Sequence, residues 1–304
     1  MNFRTIVKLW REKGHCPQCN KARSEHIEFV ADETPHFTHR YAWWIGEMCE
    51  FAAVKRVADF TKFDNMTVRR IDFARIKQML KHYKIPSIKK ISVDEVYAVR
   101  HKGRSRSESF FTVVSDIESK KVIWVSEGRS KEALDQFFEL IGTKACKEIV
   151  VVATDQFDGY GASAKQYCKN ATLVWDRFHL MKNFNDAVNE TRRELHAKAG
   201  KGDPILQLAR PKYKYIFLQK DSRRSSRDKR HIEEVFRQNG QFLQLDLIKE
   251  SMLTFFDAEN ETIAKERLDE ITMWAYQAKF EPIKKCLEQL HKGWETLKNY
   301  FKFR

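Results

Sequence analysis

The sequence predicts an α/β fold, a mixed five-stranded sheet with helices, lying between two helical regions. Three observations predict it. Residues 91–99 alternate, with Ile91, Val93, Tyr97 and Val99 on one face and Ser92, Asp94, Val96 and Ala98 on the other, the period of a β-strand. Ile149-Val150-Val151-Val152-Ala153-Thr154-Asp155 is an unbroken, largely β-branched run, as in a strand covered on both faces. Around these two, the elements run strand, strand, strand, helix, strand, helix, strand, helix, and nothing beyond about Lys182 reads as a strand.

Both strands carry an aspartate. Asp94 points with small and apolar neighbours, Glu95 points the opposite way, and Asp155 closes the apolar run. A carboxylate on a mostly buried strand is costly unless it is paired, hydrogen-bonded or bound to a metal. Open α/β sheets place ligands at the carboxyl edge, and two aspartates there suit a divalent cation, which takes hard oxygen ligands. The alternative is a strand-end acid held by a nearby Lys or Arg.

With 304 residues the chain has room for one large domain with appendages or for two domains. Its 22 Phe and 7 Trp supply a sizeable core, and 56 Lys+Arg against 42 Asp+Glu give a net charge of +14. That balance points to nucleic acid as partner, and less to an acidic membrane surface. No apolar run approaches a membrane span and no signal-peptide core opens the chain. Cys16, Cys19, Cys49, Cys146, Cys168 and Cys286 are scattered apart from one pair, which fits a reducing cytosol better than a disulfide framework. A cytoplasmic protein is expected.

Residues 1–40 lack apolar periodicity and contain His15-Cys16-Pro17-Gln18-Cys19. Such a knuckle supplies two thiolates to a tetrahedral zinc that needs four ligands. No second pair follows at ribbon spacing, and His26, His36 and His39 match no standard pattern. Half a zinc ribbon with Cys16 and Cys19 as ligands, its first pair missing upstream, is one reading; two reduced thiols are the other.

Residues 41–85 read as a helix-turn-helix. Trp43, Trp44, Met48, Phe51, Ala52, Val54, Val57, Ala58 and Phe60 recur near helical spacing, then the pattern breaks at 61–65. A second helix starts at Met66 with Asp64 or Asn65 as N-cap. Val68, Ile71 and the stem of Arg75 face inward; Lys62, Thr67, Arg69 and Arg70 are left to meet a major groove. An ordinary α-hairpin with a charged outer face is the competing reading.

Residues 86–185 hold the sheet. Strands at 110–115 and 122–126 are joined by 116–120, and 101–108 form a polar turn. Ser130 caps a helix whose Leu134, Phe137, Phe138 and Ile141 make one stripe, ending at Gly142. A helix at about 159–170 follows the Asp155 strand, and a strand at 172–175 leads into Asp176-Arg177-Phe178-His179. Three meandering strands and then alternation is the order of a ribonuclease-H-like domain. There the first and fourth strands are neighbours, which would bring Asp94 and Asp155 together.

Residues 186–304 are helical. Within 201–230, 10 Lys or Arg stand against 3 Asp, an excess of 10 − 3 = +7. The stretch 221–230 is too polar to pack, so its Arg223, Arg224, Arg227, Lys229 and Arg230 are expected in a loop that contacts phosphates, a plain solvated loop being the alternative. Phe255, Phe256, Trp274, Tyr276, Phe280, Trp294 and Phe301 recur at helical intervals and make a helical core.

Val93-Asp94-Glu95, Ala153-Thr154-Asp155 with Gly159-Tyr160, and Trp175-Asp176-Arg177-Phe178-His179-Leu180-Met181-Lys182-Asn183 together resemble the DDE transposases of bacterial insertion sequences, most closely the ISL-three group. The resemblance covers the chain from about residue 40 onward. It implies a zinc ribbon, a helix-turn-helix and a ribonuclease-H-like core with a helical insertion. By position it makes Asp94 and Asp155 the first two metal-binding carboxylates, and Asp176 and His179 the Asp-x-x-His signature. His179 would orient a carboxylate or touch a phosphate, a structural helix-start histidine being equally open.

The same resemblance implies Mg²⁺ (or Mn²⁺), two ions about 3.5–4 Å apart that activate water or a 3′-hydroxyl for in-line displacement. The partners it implies are double-stranded DNA, at element ends and target, and a second copy of the chain in a homodimer. The family's third carboxylate is a Glu a few residues past an Asn-Tyr-Phe segment. Here Asn299-Tyr300-Phe301 is followed only by Lys302-Phe303-Arg304, and Glu281, Glu288 and Glu295 belong to preceding helices. The expectation is therefore a transposase impaired in strand transfer as given. The alternatives are a catalytically silent DNA-binding protein and a nuclease for branched DNA or hybrids.

Overall fold

The computed structural model describes residues 8–10, 12–31, 37–97 and 109–303. The polar turn expected at 101–108, His36, Ala98 and Val99 lie outside them. The chain divides into two compact units, Met1–Lys84 and Ile85–Arg304.

In the first unit, β1 (Lys13–His15) and β2 (Ala22–Ser24) form an antiparallel hairpin. Cys16 and Cys19 stand in its turn, where the Cys16 N–H donates to Lys21 O and Asn20 adopts a left-handed φ of 51°. Three helices follow, α1 (His39–Phe51), α2 (Val54–Thr61) and α3 (Asn65–Lys81). The run expected as one helix across 43–60 is broken at Ala52 and Ala53, neither of which is a helix breaker. The break lets Ile45 of α1 and Val57 and Ala58 of α2 reach one core with Val68 and Ile71 of α3. Tertiary packing overrides propensity there.

Lys62 closes α2 in a left-handed conformation, and Asp64 caps α3 by accepting the Thr67 N–H at 2.9 Å. Arg75 is buried to its guanidinium, not merely along its stem. It pairs with Glu50 and donates to Gly46 O at 3.3 Å. Gly46 is required beside it, because a Cβ there would stand 2.6 Å from Arg75 Cδ.

The second unit is built on β3 (Lys90–Tyr97), β4 (Phe110–Asp116), β5 (Lys121–Glu127), β6 (Val151–Thr154) and β7 (Thr172–Trp175). Their order across the sheet is β5-β4-β3-β6-β7. β3/β4 and β4/β5 are antiparallel, while β3/β6 and β6/β7 are parallel. The sheet is mixed because β4 pairs antiparallel with both β3 and β5, whereas β6 and β7 follow helices and run parallel to β3. Those helices are α4 (Lys131–Glu148), interrupted at Gly142 with φ 78°, and α5 (Asp158–Tyr167). Phe137, Phe138, Tyr160 and Ala164 cover Ile91, Val93, Val114 and Val152 of the sheet.

From β7 the chain enters α6 (Arg177–Ala197), then the short α7 (Ile205–Leu208) and α8 (Lys214–Leu218), then α9 (Ser226–Gln238), α10 (Gly240–Phe255), α11 (Glu261–Gln277), α12 (Glu281–Lys292), α13 (Trp294–Leu297) and α14 (Tyr300–Phe303). Phe184, Val188, Phe242, Phe255, Leu268 and Leu287 belong to their shared core. The polar stretch 221–230 is not a loop throughout: Ser225 caps α9, and half of the stretch is helix. The helical region closes back on the sheet. Asn299 Nδ2 donates to Leu173 O at 2.9 Å, and Gly293 lies against the Trp175 indole where any Cβ would collide.

Candidate active site at the carboxyl edge of the sheet

Three neighbouring strands deliver an acid to one edge. In the β3/β6 register Val93 stands opposite Thr154, so Asp94 and Asp155 are the next residues on strands about 4.8 Å apart. Asp176 follows β7 directly and caps α6, its Oδ1 accepting the Phe178 N–H at 2.9 Å. Its Oδ2 lies 2.8 Å from His179 Nδ1, and His179 Nε2 turns back to within 3.6 Å of Asp94 Oδ1. A carboxylate on one ring nitrogen fixes which nitrogen faces outward, so Asp176 aims His179 at Asp94.

The burial of the two β3 acids reverses the sequence expectation. Asp94 is 54% exposed at its side chain, and Glu95 is the more enclosed at 13%. Ile91 and Val93 face the core, so Glu95 continues their face at the strand's end while Asp94 takes the opposite, open one. The uncomfortable acid is therefore Glu95. Burial pushes its carboxyl above the usual range, the Asp155 charge adds to the rise, and Arg129 opposes it.

Arg129 is the unnamed cation of the alternative reading, a strand-end acid held by a nearby Arg. Its Nη1 lies 3.1 Å from Glu95 Oε1 and its Nη2 2.9 Å from Asp155 Oδ2. Asp155 Oδ1 accepts the Phe157 N–H at 3.0 Å. The guanidinium carbon also sits 4.9 Å from the Phe157 ring centroid and 5.8 Å from that of Phe110, within cation–π range. The base of Arg129 is equally tied down. Gly128, at φ 92°, donates its N–H to Phe110 O and accepts the Thr112 hydroxyl, and Ser130 caps α4. The only sequence signal was Gly128-Arg129-Ser130 itself, a turn residue and a cap with a cation between them.

The donor set suits a hard cation. Asp94 and Asp155 offer carboxylate oxygens on adjacent strands, and the buried Glu95 Oε2 beside them lacks a partner. Among the described residues no three His, Cys, Asp or Glu side chains converge as a ready cage. Cys16 and Cys19 are free thiols. Backbone N–H groups of Cys19 and Gln18 hold the Cys16 thiol below its usual range, the direction a metal-binding thiolate needs.

The basic residues are dispersed. In the first unit Lys62, Arg69 and Arg70 are exposed, while Thr67 is half-buried and hydrogen-bonds Asp64 at 2.6 Å. In the second, Arg223, Arg227 and Arg230 are exposed and Lys229 pairs with Asp221 at 2.9 Å. Arg224 is a correction. Its side chain is 1% exposed, spread over Asp246, Asp221 and Ile216 O, so it is a structural residue and does not face a phosphate.

Fold and edge together describe a protein with an acid-lined α/β sheet followed by a helical region. Residues 91–304 match the family model for transposases of the DDE, ISL3 type, more than half the sequence, and the chain belongs to that family. It is 26% identical to the transposase for insertion sequence element IS1001 of Bordetella parapertussis, over 64% of this chain and 49% of that protein. It is 23% identical to the transposase for insertion sequence element IS1557 of Mycobacterium tuberculosis, over 64% of this chain and 46% of that protein. The chain thus spans about half the length of the curated relatives it matches.

Proposed function

We propose that this chain carries the DNA-binding and phosphoryl-transfer elements of an insertion-sequence transposase, acting on double-stranded DNA at element ends and target. The observation that carries the reading is the edge where Asp94, Asp155 and the Asp176–His179 pair stand at the carboxyl side of three neighbouring strands of one mixed sheet. The strand order, with the first strand between the second and fourth, supports a ribonuclease-H-like core. Two helices joined at Lys62–Asp64 support a helix-turn-helix.

In this reading Asp94 and Asp155 hold Mg²⁺ or Mn²⁺, which when bound supplies the Lewis acidity that activates water or a 3′-hydroxyl and stabilises the leaving oxygen. Asp94 is exposed enough to meet a ligand, and Asp155 is fixed by the Phe157 N–H. His179, aimed by Asp176, steadies Asp94 or meets a phosphate oxygen. Arg69 and Arg70 project beside the first turns of α3, where a recognition helix meets base edges. Arg223, Arg227 and Arg230 contact phosphates. A homodimer would hold two ends together, and Cys16 and Cys19 would supply half of a Zn²⁺ site.

The test is Mn²⁺ binding and Mn²⁺-dependent nicking of duplex DNA bearing the element's own ends. Both should be lost in Asp94→Asn and in Asp155→Asn; cleavage that survives either change would refute the assignment. Arg227→Ala with Arg230→Ala should weaken binding to all sequences alike and lower the salt slope by about 2. A second reading, DNA binding without cleavage, draws on Arg129, whose guanidinium already neutralises Asp155. It predicts DNA binding that is indifferent to both aspartate variants and to metal.

A further inference from the structure

We infer that Arg129 is a positioning residue that closes off a competing cation site between Glu95 and Asp155, reserving Asp155 for its proposed role beside Asp94. The inference rests on the proposed role of Asp155 for its purpose, but not for its test.

Two carboxylates, Glu95 and Asp155, point into one small space, with side chains 13% and 8% exposed. Two buried like charges with free oxygens attract any available divalent cation, and hard oxygen donors are what such an ion takes. Glu95 Oε2 is buried and has no hydrogen-bond partner, so this pair retains ligating capacity. A cation bound there would draw Asp155 toward Glu95 and away from Asp94, which lies on the opposite face of β3.

The guanidinium fills that space with a fixed positive charge. Its fork places one nitrogen on each carboxylate, a geometry an ammonium cannot reproduce in full. It is held from below as well as from the sides, because Gly128 is bonded to Phe110 O and Thr112 and Ser130 caps α4. The rings of Phe110 and Phe157 keep it in place. A residue that only neutralised charge would not need a rigid turn, an aromatic seat and a two-pronged contact. Asp155 then keeps only the lone pairs that Arg129 and the Phe157 N–H leave free.

The test titrates the full chain with Mn²⁺ and counts bound ions by electron paramagnetic resonance, with circular dichroism as the check on folding. Arg129→Met and Arg129→Gln are both used, because the two replacements sit differently between the rings. Each should gain a Mn²⁺ site, at least tenfold tighter than any Asp94-independent binding in the unsubstituted chain. That site should persist when Asp94→Asn is added and vanish when Glu95→Gln is added. Arg129→Lys, which keeps the charge, should gain none. The inference fails if neither neutral variant gains a site, or if the gained site survives Glu95→Gln. Loss of the Asp94-dependent site in the unsubstituted chain would bear on the proposed function alone.

Discussion

Two ion networks in the second unit use the same chemistry to opposite ends. In the helical region, Arg224 and Lys249, at 1% and 0% side-chain exposure, converge on Asp246. Arg224 also reaches Ile216 O and Asp221, while Lys249 reaches Gln219 O and Glu250. At the sheet edge, Arg129 bridges Glu95 and Asp155, yet Glu95 Oε2 and Arg129 Nε are buried without partners. A fully satisfied network rigidifies; a half-satisfied one is destabilising unless something else is to be bound. The first network pins α8, α9 and α10 together. The second leaves two polar atoms unsatisfied at the end of a sheet.

That contrast is open to breakage, most forcefully at Arg224. Arg224→Met leaves the buried Asp246 to Lys249 alone and strips Ile216 O of its donor, and should cost about 3–5 kcal/mol, read as a lower urea midpoint. A loss within about 0.5 kcal/mol would mean the network is not structural. Next in size is the seam between the two regions. Gly293→Val drives a side chain into the Trp175 indole and should cost about 1–3 kcal/mol, in a single thermal transition if sheet and helices unfold as one.

Arg129→Met should cost less stability, on the order of 1 kcal/mol, because Arg129 is one-third exposed and its partners can relax toward solvent. Equal losses at Arg129 and Arg224 would erase the distinction between the networks. Beneath Arg129, burial pushes the Tyr160 hydroxyl up to about 12. Its folded value lies above its unfolded one, so the stability it contributes is complete below pH 10 and is lost as pH rises toward 12. Ultraviolet absorbance should show a late-ionising tyrosine fraction that Tyr160→Phe diminishes but does not abolish, because the bond to Glu139 also holds the Tyr167 hydroxyl up to about 12. A change of similar size is Ser130→Ala, which removes the α4 cap at a cost of about 1 kcal/mol and should leave the helical network untouched.

Much of this architecture was legible in residue pattern. Alternation located β3, the apolar run located β6, and the Leu134, Phe137, Phe138 stripe located α4 up to Gly142. The cap of α3 was legible as Asp64 or Asn65, since either side chain satisfies free N–H groups locally, and Asp64 takes the place. The acids at strand ends stood out because an acid ending an apolar run is rare without a partner. Features legible in this way depend on neighbours within a turn or two of chain.

What the sequence by itself determined is the element order, the family and the position of the acids along it. Only the tertiary structure decided what each charge meets. Glu95 and not Asp94 is the enclosed acid, since the face continued by Ile91 and Val93 is the one α4 and α5 cover. Arg129 meets Asp155 across 26 residues, and Asn299 meets Leu173 across 126. Arg224, read as a cation for phosphate, lies under α10 because Asp246 waits there. Periodicity reports which side of an element is apolar, but a charge is satisfied by whichever element returns beside it. That return is set by the packing of the whole unit.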